Sequence, residues 1–172
     1  MNIKIVSTIL LLFAFMTTSG FAAVVINEVE LDPYGDAPQW IELYNTGDKE
    51  VDVGSWSIVP LSNKSMEYFI DLVSIPARGF YLLILDENWM SLSEETLILR
   101  DENGIVVDRT PLLYDSSNSD CAWGRYPDGS NTWQILITAR WVWDSTWSPD
   151  AGTAVNFPWK SPSATPVRVT LC

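Results

Sequence analysis

From Val25 to Asn45, hydrophobic and polar residues alternate in two short runs around a loop of Asp32, Pro33, Gly35, Asp36 and Pro38. The first run puts Val29 and Leu31 on one face and Glu28 and Glu30 on the other. In the second, Ile41 and Leu43 oppose Trp40, Glu42 and Tyr44. A period of two predicts strands half buried against a core. Comparable runs follow at 51–60, 67–73, 80–85, 96–102, 105–110, 122–126 and 132–137. In 80–85, Phe80, Leu82 and Ile84 face one way and Tyr81, Leu83 and Leu85 the other, which predicts a central strand covered on both faces. Asn103-Gly104 predicts a type I′ hairpin between two of these runs, and Pro127-Asp128-Gly129 marks a second hairpin. Residues 86–95 have room for one helical turn. Together these runs predict an all-β fold of about nine short strands at sandwich-like spacing.

The two ends read differently. Lys4, the apolar run Ile5 to Met16 and the small residues up to Ala22 have the form of a cleaved export leader over residues 1–22. The run is short for a membrane span, which needs about 20 residues; an uncleaved anchor is the competing reading. The domain then runs over residues 23–156, with an extension at 157–172. From Thr138 onward, Trp141, Trp143, Trp147 and Trp159 are interleaved with Pro149, Pro158, Pro162 and Pro166. This predicts a long irregular tryptophan-rich segment that lies over the sandwich.

Composition narrows the chemistry. The chain carries a net charge of −12 and no histidine. An anionic surface repels phosphate backbones, so nucleic acid is excluded as a partner. Without imidazole there is no Ser-His-Asp or Cys-His catalysis and no His-ligated metal. Two cysteines, Cys121 and Cys172, allow one bridge from the chain end to the body, two thiols, or a link to another molecule. Asn63-Lys64-Ser65 is a glycosylation sequon in a polar loop.

Several separated stretches resemble the lamin tail domain, in the expected order. They are INEV at Ile26 to Val29, QWIELYN at Gln39 to Asn45, VDVGSWSI at Val51 to Ile58 and IPARGFYLLI at Ile75 to Ile84. ETLILRDENGIVVD at Glu95 to Asp108, WGRYPDGSNTW at Trp123 to Trp133 and, more loosely, SPDAGTAVN at Ser148 to Asn156 follow. The resemblance implies an immunoglobulin-like antiparallel β-sandwich of the prokaryotic exported type. It implies an accessory or interaction role with no catalytic residue set.

Three constellations could carry function. Trp40, Glu42 and Tyr44 share a strand face, and two rings flanking a carboxylate suit a sugar platform. The structural alternative has Trp40 covering the sandwich while Glu42 pairs with Arg78, Arg100 or Arg109. Trp141, Trp143 and Trp147 either form an exposed recognition surface or cap the sandwich. Carboxylates gather at Asp32 and Asp36, at Asp101, Glu102 and Asp108, and at Asp115 and Asp120, without the ligand spacing of an EF-hand loop. These acids read as solvated turn residues, and no cofactor is expected; calcium bridging two loops is the alternative.

The expectation is a secreted or cell-surface, non-enzymatic module that binds a protein or glycan. A carbohydrate-binding module using the exposed tryptophans is the alternative. A carboxylate-dependent hydrolase ranks third, since no acid pair is marked out.

Overall fold

A computed structural model describes residues 23–85, 89–115 and 121–137. Residues 1–22, expected to be an export leader, the segment from residue 138 onward and the expected boundary at 156/157 lie outside the described residues. The elements are β1 (Val24–Glu30), β2 (Trp40–Asn45), β3 (Val51–Asp52), β4 (Ser57–Pro60), β5 (Tyr68–Phe69), β6 (Ser74–Ile75) and β7 (Phe80–Ile84). Then come β8 (Glu94–Glu95), β9 (Leu97–Arg100), β10 (Val106–Arg109), β11 (Leu113–Tyr114), β12 (Cys121–Arg125) and β13 (Trp133–Ile137). No helix occurs among the described residues, and the stretch Trp89 to Ser93 is bent rather than helical.

One sheet has the order β13-β12-β1-β2-β7 and the other β10-β9-β4-β5; every pairing is antiparallel. Two ribbons, β11-β8 and β3-β6, complete the fold. One core lies between the sheets. Ile26, Val29, Ile41, Leu43 and Leu83 come from the first sheet, and Ile58, Leu97 and Leu99 from the second. This is the all-β sandwich that the alternation predicts, in the antiparallel, immunoglobulin-like form that the resemblance implies.

Three local expectations change. The run 51–60 is two strands, because Ser55 adopts φ 66° and Trp56 N–H donates back to Val53 C=O. The turn sends β3 to β6 and β4 to β9. At Asn103-Gly104 the hairpin forms, but only Gly104 has a positive φ (76°). Gly104 N–H donates to Asp101 C=O and Asp101 N–H to Ile105 C=O. That is a three-residue loop closed by a glycine bulge, not a type I′ turn.

The third change concerns which strand is central. β7 is an edge strand, with Phe80, Leu82 and Ile84 half-buried. β1 is the middle strand, and all seven of its residues are buried. Its register against β2 slips between Ile26 and Glu28. Asn27 is the extra residue, so Asn27 and Glu28 both lie on the outer face opposite Glu42. The bulge shifts the core positions from Val24 and Ile26 to Val29 and Leu31, and all four stay in the core.

Candidate functional site

The bulge in β1 is the place where the signature stretches meet. A β-bulge disrupts the ladder locally, and its backbone groups need partners from elsewhere. Ile26 N–H donates to Asp108 Oδ2 at 2.8 Å, and Arg125 Nε donates to Ile26 C=O at 2.8 Å. Arg125 and Asp108 also pair with each other: Nη2 lies 3.0 Å from both carboxylate oxygens. The guanidinium, 4 % exposed, donates to Ser130 C=O through Nη1 and sits 4.9 Å from the centroid of the Trp133 ring. β12 supplies Arg125 and β10 supplies Asp108, so this clasp ties one sheet to the other at the central strand.

On the opposite face of the bulge, Asn27 serves three partners. Its Nδ2 donates to Glu42 Oε1 and to Asp128 Oδ1, each at 2.9 Å, and its Oδ1 accepts from Gly129 N–H at 2.9 Å. These contacts fold the β12–β13 turn over β2. Gly129 is required there, because it adopts φ 73° and a Cβ would stand 2.8 Å from Thr46 Cγ2 and 3.1 Å from the Tyr44 ring. The residues that could carry polar chemistry in this region are thus consumed in closing the sandwich.

The expected platform does not stand open. Trp40 and Glu42 are buried, at 7 % and 2 % exposure, and half-buried Tyr44 stacks on Phe80 at 4.6 Å between centroids. Glu42 is held by Asn27, whereas Arg100 faces Glu67 at 3.7 Å. Sequence reasoning missed both Asn27 and the Asp108–Arg125 pair; it grouped Asp108 with Asp101 and Glu102. The available signal was their place in INEV, IVVD and WGRYPDG.

Among the described residues, no group of three or more cysteine or carboxylate side chains converges to hold a metal. Asn63 is exposed, and its Oδ1 accepts from the Ser65 hydroxyl at 2.6 Å. Cys121 is half-buried at the start of β12, opposite Ile137. Trp141, Trp143, Trp147 and Cys172 lie outside the described residues.

Large exposed apolar side chains appear elsewhere. On β11, Leu113 points into the core and Tyr114 stands outward at 62 % exposure, and Leu112, just before the strand, is 58 % exposed. Trp123 backs Tyr114: its Nε1 donates to Tyr114 C=O at 2.9 Å, and the two rings meet edge-on at 5.4 Å. Such a patch suits contact with a macromolecule better than turnover of a small substrate.

No curated protein matches the chain. The family model for the Lamin Tail Domain matches residues 17–112, which takes in the bulge of β1, the face of β2 and Asp108. The match ends before the β12–β13 hairpin, although Arg125 and Asp128 from that hairpin complete the contacts around Ile26 and Asn27. Over more than half of its length the sequence fits a family of non-catalytic, immunoglobulin-like domains, and the chain belongs to the lamin tail domain family.

Proposed function

We propose that this protein is an exported, non-enzymatic interaction module that docks on a protein partner at the cell surface or in the extracellular space. The supporting observation is the outward pair Leu112 and Tyr114, with Tyr114 backed by Trp123. A large aromatic on a short strand, with an exposed aliphatic side chain just before it, is the composition of an interface anchor. The leader-like N-terminus supports export. The engagement of Asn27, Asp108 and Arg125 in closing the fold supports a role without turnover.

Full-length protein titrated onto intact cells should bind saturably. Leu112→Asp should weaken that binding at least tenfold while leaving the melting temperature unchanged, because the side chain is exposed; Tyr114→Ala should weaken it as much, with only the small drop in melting temperature that losing the edge-on Trp123 contact brings. Unchanged binding by both variants contradicts the proposal. Glycan-array binding that disappears on Trp143→Ala would replace it with the carbohydrate-binding reading.

A further inference from the structure

The ribbon β11-β8 sorts its side chains in pairs. Leu113 and Glu95 stand opposite each other and are buried, while the next pair, Tyr114 and Glu94, is exposed. Directly opposed residues of an antiparallel pair share a face, with Cβ atoms about 5 Å apart. The Tyr114 ring and the Glu94 carboxylate therefore stand side by side at the surface. Asp115 N–H donates to Ser93 C=O, so Tyr114 and Glu94 form the kind of pair whose main-chain groups point away from the ribbon. One such group on each strand is already engaged. Glu94 N–H donates to Ser91 Oγ at 3.3 Å, and Tyr114 C=O accepts from Trp123 Nε1. A two-residue strand so engaged offers a partner its side chains, not a ladder.

The two acids of β8 differ in what holds them. The Glu95 carboxylate accepts from Ser62 N–H at 3.0 Å and Thr96 N–H at 2.9 Å, and is spent in the fold. Among the described residues the Glu94 carboxylate has neither a hydrogen bond nor an ion pair. Beside it, the Tyr114 ring is steadied edge-on by Trp123. An aromatic face attracts a cation, and a neighbouring carboxylate supplies the counter-charge. Arginine fits both: its planar guanidinium stacks on a ring and donates to a carboxylate as a fork. Its stem packs on apolar surface, which exposed Leu112 and Leu92 provide. Arg109 stands opposite Ile98 in the other sheet pairing, and the net charge of −12 draws basic partners at longer range.

We infer that Tyr114 and Glu94 together receive an arginine side chain from a basic segment of a protein partner. This rests on the docking reading above and narrows it. The probe is a capped peptide with one arginine flanked by leucines, set against the same peptide with citrulline, the uncharged isostere. Each is titrated into the full-length protein and followed by NMR. The arginine peptide should shift the Tyr114 ring and the Glu94 side chain saturably, and the citrulline peptide should not. Glu94→Gln should lower the affinity about threefold, the scale of one exposed ion pair. Tyr114→Leu should abolish the response and Tyr114→Phe should keep it, because the ring face attracts the cation. Equal responses to the two peptides, shifts spread over the acidic surface without preference for Tyr114, or undiminished affinity in Glu94→Gln would overturn the inference. Binding to intact cells separates the two readings. Loss in Leu112→Asp with full binding in Glu94→Gln keeps docking and removes the arginine receptor. Full binding in both Leu112→Asp and Tyr114→Ala removes docking, whereas the peptide titration decides the receptor by itself.

Discussion

β1 and β7 belong to the same sheet and invert the expectation that hydrophobicity alone would set. β7 presents apolar side chains on both faces and sits at the edge; β1 alternates acids with aliphatics and sits buried at the centre. The difference lies in what each strand gives its neighbours. Among the described residues β7 pairs with β2 alone, and its outer row of Phe80, Leu82 and Ile84 is half-buried. β1 pairs with β2 and β12, and its bulge also receives Asp108 from the second sheet. Its centrality comes from polar contacts that hydropathy does not register.

The harshest way to break the contrast is to remove the clasp. Arg125→Met leaves the Asp108 carboxylate without its guanidinium partner and Ile26 C=O without its donor. Loss of one partner from a buried ion pair costs about 3–5 kcal/mol. Urea denaturation should show that loss as a lower midpoint at unchanged slope.

Truncation at equivalent places sharpens the comparison. Ile26→Ala on the central strand should cost about 2–5 kcal/mol, because the side chain is fully buried. Ile84→Ala on the edge strand should cost about 1 kcal/mol, since the half-buried side chain has less area to lose. Equal losses in thermal melts would remove the distinction between centre and edge.

A smaller effect falls on the inner row of β7. Burial raises the pKa of the Tyr81 phenol above its ordinary 10.0, with Tyr68 and Asp71 adding to the shift. Below about pH 10 the phenol is protonated in the folded and unfolded chains alike. As pH rises past that value the unfolded chain ionises first, so stability falls until the raised folded value is passed. Tyr81→Phe should flatten this part of the alkaline stability profile, measured by denaturation at a series of pH values.

The sandwich was legible in the sequence because strand alternation is a local signal, written in runs such as Trp40 to Asn45 and Leu97 to Arg100. The bulge was less legible. It shows only as a one-residue phase slip at Asn27-Glu28, where two polar residues interrupt the repeat between Ile26 and Val29. The division of 51–60 depended on the positive φ at Ser55, a residue type that does not announce one. The Asp108–Arg125 contact could not be read at all without topology, since each residue sits on a different sheet and meets the other over the backbone of a third strand. Leu112 and Tyr114 were hidden for another reason: β11 is two residues long, too short for any periodicity to show.

The claim that carries most weight is that Asp108 and Arg125 act as one unit on β1, and a double-mutant cycle measures it directly. Asp108→Asn keeps an acceptor for Ile26 N–H while removing the charge, and Arg125→Met removes the other charge. The two changes together should cost less than the sum of the singles by about 1.5 kcal/mol or more, within the range for contacting residues. Simple additivity, to within about 0.3 kcal/mol, would mean that the pair does not hold the central strand.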